Sequence, residues 1–541
     1  MSQNKNKFAD TIRNNKTEAM CICLVFLFYI FMMMYRLTYS PLWFDEHIEH
    51  LISQMSLTNG EMYQNIIITF QPPLYNFIMH FWLMLGTGDF WFRLFNVILG
   101  VVVGASIYVT VRRLYSFKAA TFAVALLAVC YQYIYCVQEC SEYQLMVMNI
   151  ALMICFYVKS MQSLDKLSSR SLYLNTLLFV FFAVCAMYSQ YGAMFMVIPF
   201  LALYWFQVVF KQNKKDTLII TVLYGVAAVF GALPLFVLYA SKQLAENAIA
   251  ENAGVTFGVS ELLSIFTEPG RIIAYLYNIP MNSLTNLFLG IAGVLFIIIS
   301  ILIIIGKVKA LKKNDSCSAS ESCIYANANR KITASLLAIM LTGYVLHYFL
   351  VVFHIYAMIH PGESAGFYAR YSYFYIPLAT ITLTIMLIEL KRIMIDNRIP
   401  EMATSLTIKK ANLVLCGLFA AVALVVFVPR IMRNWHKSYD DVFTATWITQ
   451  NGWEETTYLV GQARFGFKRY VTDVYGEAIA ANAFHESQVN FDYLPESFWI
   501  WRMSWGGEKF DDFVNEARNR GYNVEILYDF GTEGQLAHAT K

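Results

Sequence analysis

Charge is scarce in this sequence. Asp, Glu, Lys and Arg make up 14% of its 541 residues, against about a quarter in a soluble domain. With 58% hydrophobic residues, the chain cannot cover itself with wetted side chains, which excludes a soluble globular protein. The net charge of +3 is small and gives no sign of a nucleic-acid partner. The ten cysteines form no CxxC pair, and none lies in the last 112 residues. Most sit inside apolar runs, where a thiol behaves as a small hydrophobe, so no disulfide framework is expected. The first apolar run, near residues 19–35, has no small-residue cleavage site behind it and reads as a signal anchor. No internal repeat is visible.

What the chain does have is long apolar runs. Segments able to span a bilayer lie near 19–38, 93–111, 119–137, 143–160, 172–189, 191–210, 217–240, 284–305, 332–358, 371–390 and 411–429, eleven in all. Charge asymmetry orients them. With a cytoplasmic N-terminus, the inner segments hold 24 of the 40 Lys and Arg residues, whereas the outer loops hold only Arg36, Arg93, Lys242, Arg271 and Arg370. The apolar stretch LYNFIMHFWLMLG (74–86) is short. Were it to cross, every later basic loop would face outward, so it is expected to lie on the outer surface as a juxtamembrane helix.

These spans make residues 1–429 one transmembrane domain and 430–541 a second, extracytoplasmic domain. In the latter, charge returns. DDVFTATWITQ (440–450) has helical spacing, TTYLVG (456–461), FWIWRMS (498–504) and NVEILYDF (523–530) read as strands, and EKFDDFVNEARNRG (508–521) reads as an amphipathic helix ended by Gly521. Strand, helix, strand order implies a small α/β domain with a partly parallel sheet. It has no glycine-rich phosphate loop. The expected fold class is thus mainly α, a polytopic helical bundle with a small C-terminal α/β domain.

The chemistry-bearing residues cluster at the outer loops. WFDEHIEH (43–50) places Asp45, Glu46, His47, Glu49 and His50 after the first span. Three readings stand. Asp45 caps a solvated helix, Glu46 or His47 pairs with His50 on one helix face as a weak metal motif, or a carboxylate serves as acid or base at a partly dry site. Gln71-Pro72-Pro73-Leu74-Tyr75 is a stiffened turn. Arg93 opens the second span, Gln138-Glu139 and Glu142-Tyr143 lie between the third and fourth, and Arg370-Tyr371 lies at the outer mouth of the tenth. Taken singly, each has a bland reading: a stiff loop, a snorkelling arginine, an interfacial tyrosine. Together they put carboxylates, cations and tyrosines from four loops on one side of a bundle, which defaults to a functional hypothesis.

This order of motifs resembles the GT-C glycosyltransferases: an acid pair after the first helix, a PPLY turn, an Arg at the second span, an inner RRLY loop (112–115), a QE…Y element and a late RY. It is most similar to the bacterial glycosyltransferase family 39 group, related to protein O-mannosyltransferases and to the aminoarabinose transferase of lipid A. The likeness is densest over 40–210. It implies Asp45 as the catalytic base with Glu46 in support, and Gln71, Tyr75, Arg93, Gln138, Glu139, Tyr143, Arg370 and Tyr371 as substrate-binding. The chain departs from the pattern twice. Gln71 stands where relatives carry His or Lys, and Ser141 stands where the QEAR element has its Arg. Arg93 and Arg370, with Arg271, would then carry more of the phosphate charge.

The implied activity is sugar transfer, with inversion, from a polyprenyl-phosphate donor to an extracytoplasmic acceptor at the cell membrane. No cofactor or metal is expected, because the leaving group is a monophosphate. A rival reading is a transporter or flippase of lipid-linked sugars, which would place its binding groups near the bilayer midplane in two repeats. A non-catalytic scaffold displaying the C-terminal domain would leave the polar cluster unexplained.

Overall fold

In a computed structural model, the structure describes residues 16–38, 42, 44–69, 71–165, 169–211, 213–246, 265–279, 283–313, 321–352, 370–398, 417, 421, 423–433, 447–448, 450–452, 454–460, 467–503, 507–529 and 534–541. The chain divides into two compact units. One comprises Met1–Tyr35, Ser56–Gly86 and Trp91–Met432, and the other Arg36–Met55, Thr87–Phe90 and Arg433–Lys541.

In chain order the helices are α1 (Lys16–Met34), α2 (Phe44–Gln54), α3 (Glu61–Ile68), α4 (Leu74–Leu83), α5 (Asp89–Leu114), α6 (Phe117–Ala128), α7 (Tyr131–Gln138), α8 (Glu142–Asp165), α9 (Ser169–Ser189) and α10 (Met194–Val209). There follow α11 (Lys214–Ala227), α12 (Ser241–Glu246), α13 (Glu268–Leu276), α14 (Ser283–Lys313), α15 (Glu321–Val352), α16 (Ile376–Arg398), α17 (Val428–Arg433), α18 (Phe467–Asn482) and α19 (Gly507–Asn519). Among the described residues, eight helices are long and apolar enough to cross a membrane: Asp89–Leu114, Glu142–Leu164, Arg170–Ser189, Tyr191–Val209, Lys214–Leu244, Leu284–Lys312, Ile324–Leu350 and Ser372–Arg392. Each matches a run read from the sequence. The first apolar helix, Glu18–Met34, is shorter, and most of the run 411–429 lies outside the described residues.

The run 119–137 is not one straight span. It breaks between α6 and α7 with a bend of 68°. No Pro or Gly marks the break; the end of α13 seals it. The Cys130 thiol donates to the Leu276 carbonyl at 3.4 Å, and the Tyr277 hydroxyl donates to the Leu126 carbonyl at 3.4 Å. Backbone freed inside a membrane needs such partners. Hydropathy cannot register a break that distant residues satisfy.

Close packing joins α1 to α5. A Cβ on Gly100 would sit 2.6 Å from the Met33 sulfur, and one on Gly104 would sit 2.6 Å from the Tyr29 ring. The two glycines, four residues apart on α5, let α1 approach in the small-residue manner of membrane helices. Tyr29 then donates to the Gly100 carbonyl at 2.6 Å. Elsewhere in the helical unit, Arg112 pairs with Glu18 at 2.9 Å, and Lys307 with Glu389 at 2.6 Å.

The C-terminal region holds a five-stranded sheet of order β2-β1-β3-β5-β4, made of β1 (Thr456–Val460), β2 (Ala483–His485), β3 (Ser497–Met503), β4 (Asn523–Asp529) and β5 (Gly534–Thr540). β1 pairs in parallel with β2 and β3, and β5 pairs antiparallel with β3 and β4. Alternation along β3 explains its apolar sequence. Phe498 and Ile500 pack on Phe510, Phe513 and Val514 of α19, whereas Trp499 and Trp501 join Val471 and Ile479 of α18 on the opposite face. The sequence missed α18, β2 and β5. Of the helix read at 440–450, only 447, 448 and 450 are described.

Candidate functional site

Between α7 and α8 the chain makes a short turn that carries several polar residues. The bend before α7 aims its last residues at this turn. Gln138, Glu139, Ser141, Glu142 and Tyr143 are all buried. Gln138 donates through Nε2 to the carbonyls of Met33 at 2.7 Å and Tyr35 at 3.0 Å. Both amide hydrogens therefore serve the C-terminal end of α1, where carbonyls lack helical partners. Asn96, fully buried one turn after Arg93 on α5, donates to the carbonyls of Glu139 and, at 3.5 Å, Ser141. The Asn96 Oδ1 and Ser141 Oγ atoms are buried without a hydrogen-bond partner among the described residues.

Arg93 is itself buried, 2% exposed. Tyr75 is fully buried and meets Phe95 of α5 edge-on, with centroids 6.2 Å apart. Tyr143 packs edge-on against Tyr373, with centroids 5.7 Å apart. Tyr373 lies in the 3-10 turn Arg370–Tyr375 and donates to Gln132 Oε1 at 2.9 Å. The RY turn is thus tied to the QE…Y element through Tyr373. The side chains of Arg370 and Tyr371 lie outside the described residues. Arg271 is engaged locally, its Nη1 being 2.7 Å from Glu268 Oε1.

Asp45 and Glu46 open α2, which belongs to the second unit and packs there against α18. Asp45 is half-buried and Glu46 fully buried. The flanking residues correct the sequence reading. His47, Glu49 and His50, which the reading of a solvated helix capped by Asp45 would leave wet, are buried as well. Their polarity suggested water, but tertiary packing decides exposure. Among the described residues, no group of three or more His, Cys, Asp or Glu is arranged to hold a metal ion.

Sequence reasoning missed Asn96, Tyr373 and Gln243. Asn96 has the signal of helical spacing from Arg93. Tyr373 stands in the aromatic run RYSYFY, and Gln243 carries no local signal.

Residues 70–239 match the family model of the dolichyl-phosphate-mannose-protein mannosyltransferases. The match bears out the resemblance to the GT-C glycosyltransferases over that segment. It contains Gln71, Tyr75, Arg93, Gln138, Glu139 and Tyr143, and leaves Asp45, Arg370 and Tyr371 outside. No curated protein matches the chain by sequence. Among solved structures, the oligosaccharyltransferase of Archaeoglobus fulgidus in its apo form is 11% identical with a TM-score of 0.49, covering 95% of this chain and 70% of its own. ArnT from Cupriavidus metallidurans in the apo state is 10% identical with a TM-score of 0.37, covering 96% of this chain and 97% of its own. The same ArnT bound to undecaprenyl phosphate is 11% identical, with a TM-score of 0.37 and the same coverage.

Proposed function

We propose that this multi-pass membrane protein is a glycosyltransferase that moves a sugar from a polyprenyl-phosphate donor to a hydroxyl acceptor outside the cytoplasm. The observation that carries the reading is the family match over 70–239, the segment that contains the QPPLY turn, buried Arg93 and the buried QE…Y turn. The charge asymmetry of the loops supports a cytoplasmic N-terminus and an outward C-terminal domain.

In this reading Asp45 takes the acceptor's hydroxyl proton as its oxygen attacks the anomeric carbon. The new C–O bond forms as the bond to the phosphate oxygen breaks, so the anomeric configuration inverts. Polyprenyl phosphate leaves with the electron pair, and Arg93 and Arg370 stabilise the charge that develops on it. Glu46 supports Asp45. Gln71, Tyr75, Glu139, Tyr143 and Tyr371 shape the donor and acceptor sites, while the Gln138 amide holds the end of α1.

The test is release of polyprenyl phosphate from a polyprenyl-phosphate sugar by the purified full-length protein. Asp45→Asn is expected to lower turnover by about 10²–10⁴-fold; undiminished turnover in that variant sinks the assignment. The break between α6 and α7 is the observation that favours a transporter or flippase, since such proteins use interrupted helices. A flippase would move the lipid-linked sugar across a vesicle without releasing polyprenyl phosphate.

A further inference from the structure

Gln243 lies on α12, in the last turn of the apolar helix Lys214–Leu244, and is 1% exposed. Its Nε2 donates to the carbonyl of Ile66, in the last turn of α3, at 2.9 Å and to that of Gln71 at 2.9 Å. Its Oε1 accepts from the Tyr191 hydroxyl at 2.6 Å. One buried amide thus joins the end of α3, the QPP turn and the start of the sixth span. The preceding residue reinforces the contact. Lys242 Nζ lies 2.6 Å from the Tyr63 hydroxyl and 5.1 Å over its ring, and Tyr63 donates to the Leu238 carbonyl at 2.8 Å.

The QPP turn needs such help. Pro72 and Pro73 have no N–H, so these two residues can be held only through their carbonyls and the packing of their rings. The prolines make the turn stiff, and the Gln243 bond to the Gln71 carbonyl fixes where that stiff piece sits. Gln71 and Tyr75 move with it.

The geometry points to Gln243 as a positioning residue for the lipid-phosphate donor: it sets the QPPLY turn through the Gln71 carbonyl. This rests on the donor reading above. An amide that merely glued two loops together would support stability alone. A positioning amide alters donor affinity while leaving the proton-abstracting group, carried on α2, in place.

The experiment uses full-length protein in detergent. Michaelis parameters with a polyprenyl-phosphate sugar are measured for wild type, Gln243→Ala and Gln243→Glu, with hydrogen exchange over 67–75 followed in the same samples. Gln243→Glu retains the acceptor for Tyr191 and loses both donated bonds. The expected result is a donor KM raised about tenfold with kcat within about threefold of wild type in both variants, together with faster exchange over 67–75. Unchanged KM overturns the proposal, whatever the exchange. Should Gln243→Ala not fold, Gln243→Glu decides alone. Should wild type release no polyprenyl phosphate, it is the donor reading that fails. Exchange then judges the clamp by itself, and unchanged protection in the variants overturns it.

Discussion

Trp82 and Trp91 hold each other face to face. Their rings stack with centroids 4.4 Å apart and planes 4° from parallel, and each indole Nε1 donates to the other's carbonyl, at 2.9 and 3.1 Å. The pair bolts the end of α4 to the start of α5, two residues before Arg93. Stacking and hydrogen bonding act through the same two rings, so single substitutions separate them.

Trp82→Phe keeps an aromatic ring and loses one donated bond, an expected loss of about 1 kcal/mol. Trp82→Ala loses ring and bond, about 2–3 kcal/mol after allowing for partial exposure. Thermal unfolding in detergent should rank wild type above Trp82→Phe and Trp82→Ala lowest. Equal melting temperatures for all three would show that the pair holds nothing.

Gln138 and Glu139 are neighbours with different expected roles. The Gln138 amide is consumed by the carbonyls of Met33 and Tyr35. Gln138→Glu removes both donors and should lower stability by about 1–3 kcal/mol, with turnover per folded molecule retained. Glu139→Gln is nearly isosteric and should fold normally while losing at least about tenfold in turnover. Paired unfolding and activity measurements check this; the reverse pattern exchanges the two roles.

The leaving phosphate is expected to be neutralised by arginine rather than by a metal ion. Arg93→Ala should reduce turnover by about 10²–10³-fold, whereas chelator, and His50→Ala, should leave it near wild type. Abolished activity under chelator, restored by a divalent ion, would transfer the charge-stabilising role to a metal.

Much of the helical unit was legible because hydrophobicity adds along the chain. A run of about 20 apolar residues has few other solutions, and among the described residues eight of the runs form long apolar helices. Strand β3 was legible for the same reason, its FWIW core facing two covered sides. The strand Ala483–His485, at three residues, is too short to carry a pattern, and β5 (GQLAHAT) lacks the β-branched run that marks a strand. Legibility of the site was uneven. The types and order of Gln71, Arg93, Glu139 and Tyr143 stood out, but Asn96 and Gln243 act by donating to carbonyls that any residue could supply.

By itself the sequence determined that this chain lives in a membrane, where its apolar runs fall, and which family its residues 40–210 resemble. These follow from composition and spacing, which are properties of neighbours. Only the tertiary structure decided that Gln138 caps α1, that α2 groups with the C-terminal unit, that His47 and His50 are buried, and that the third run bends where Cys130 and Tyr277 meet their carbonyls. A hydrogen bond from a side chain to a distant carbonyl depends on where two remote segments meet. It leaves no periodic trace in the sequence.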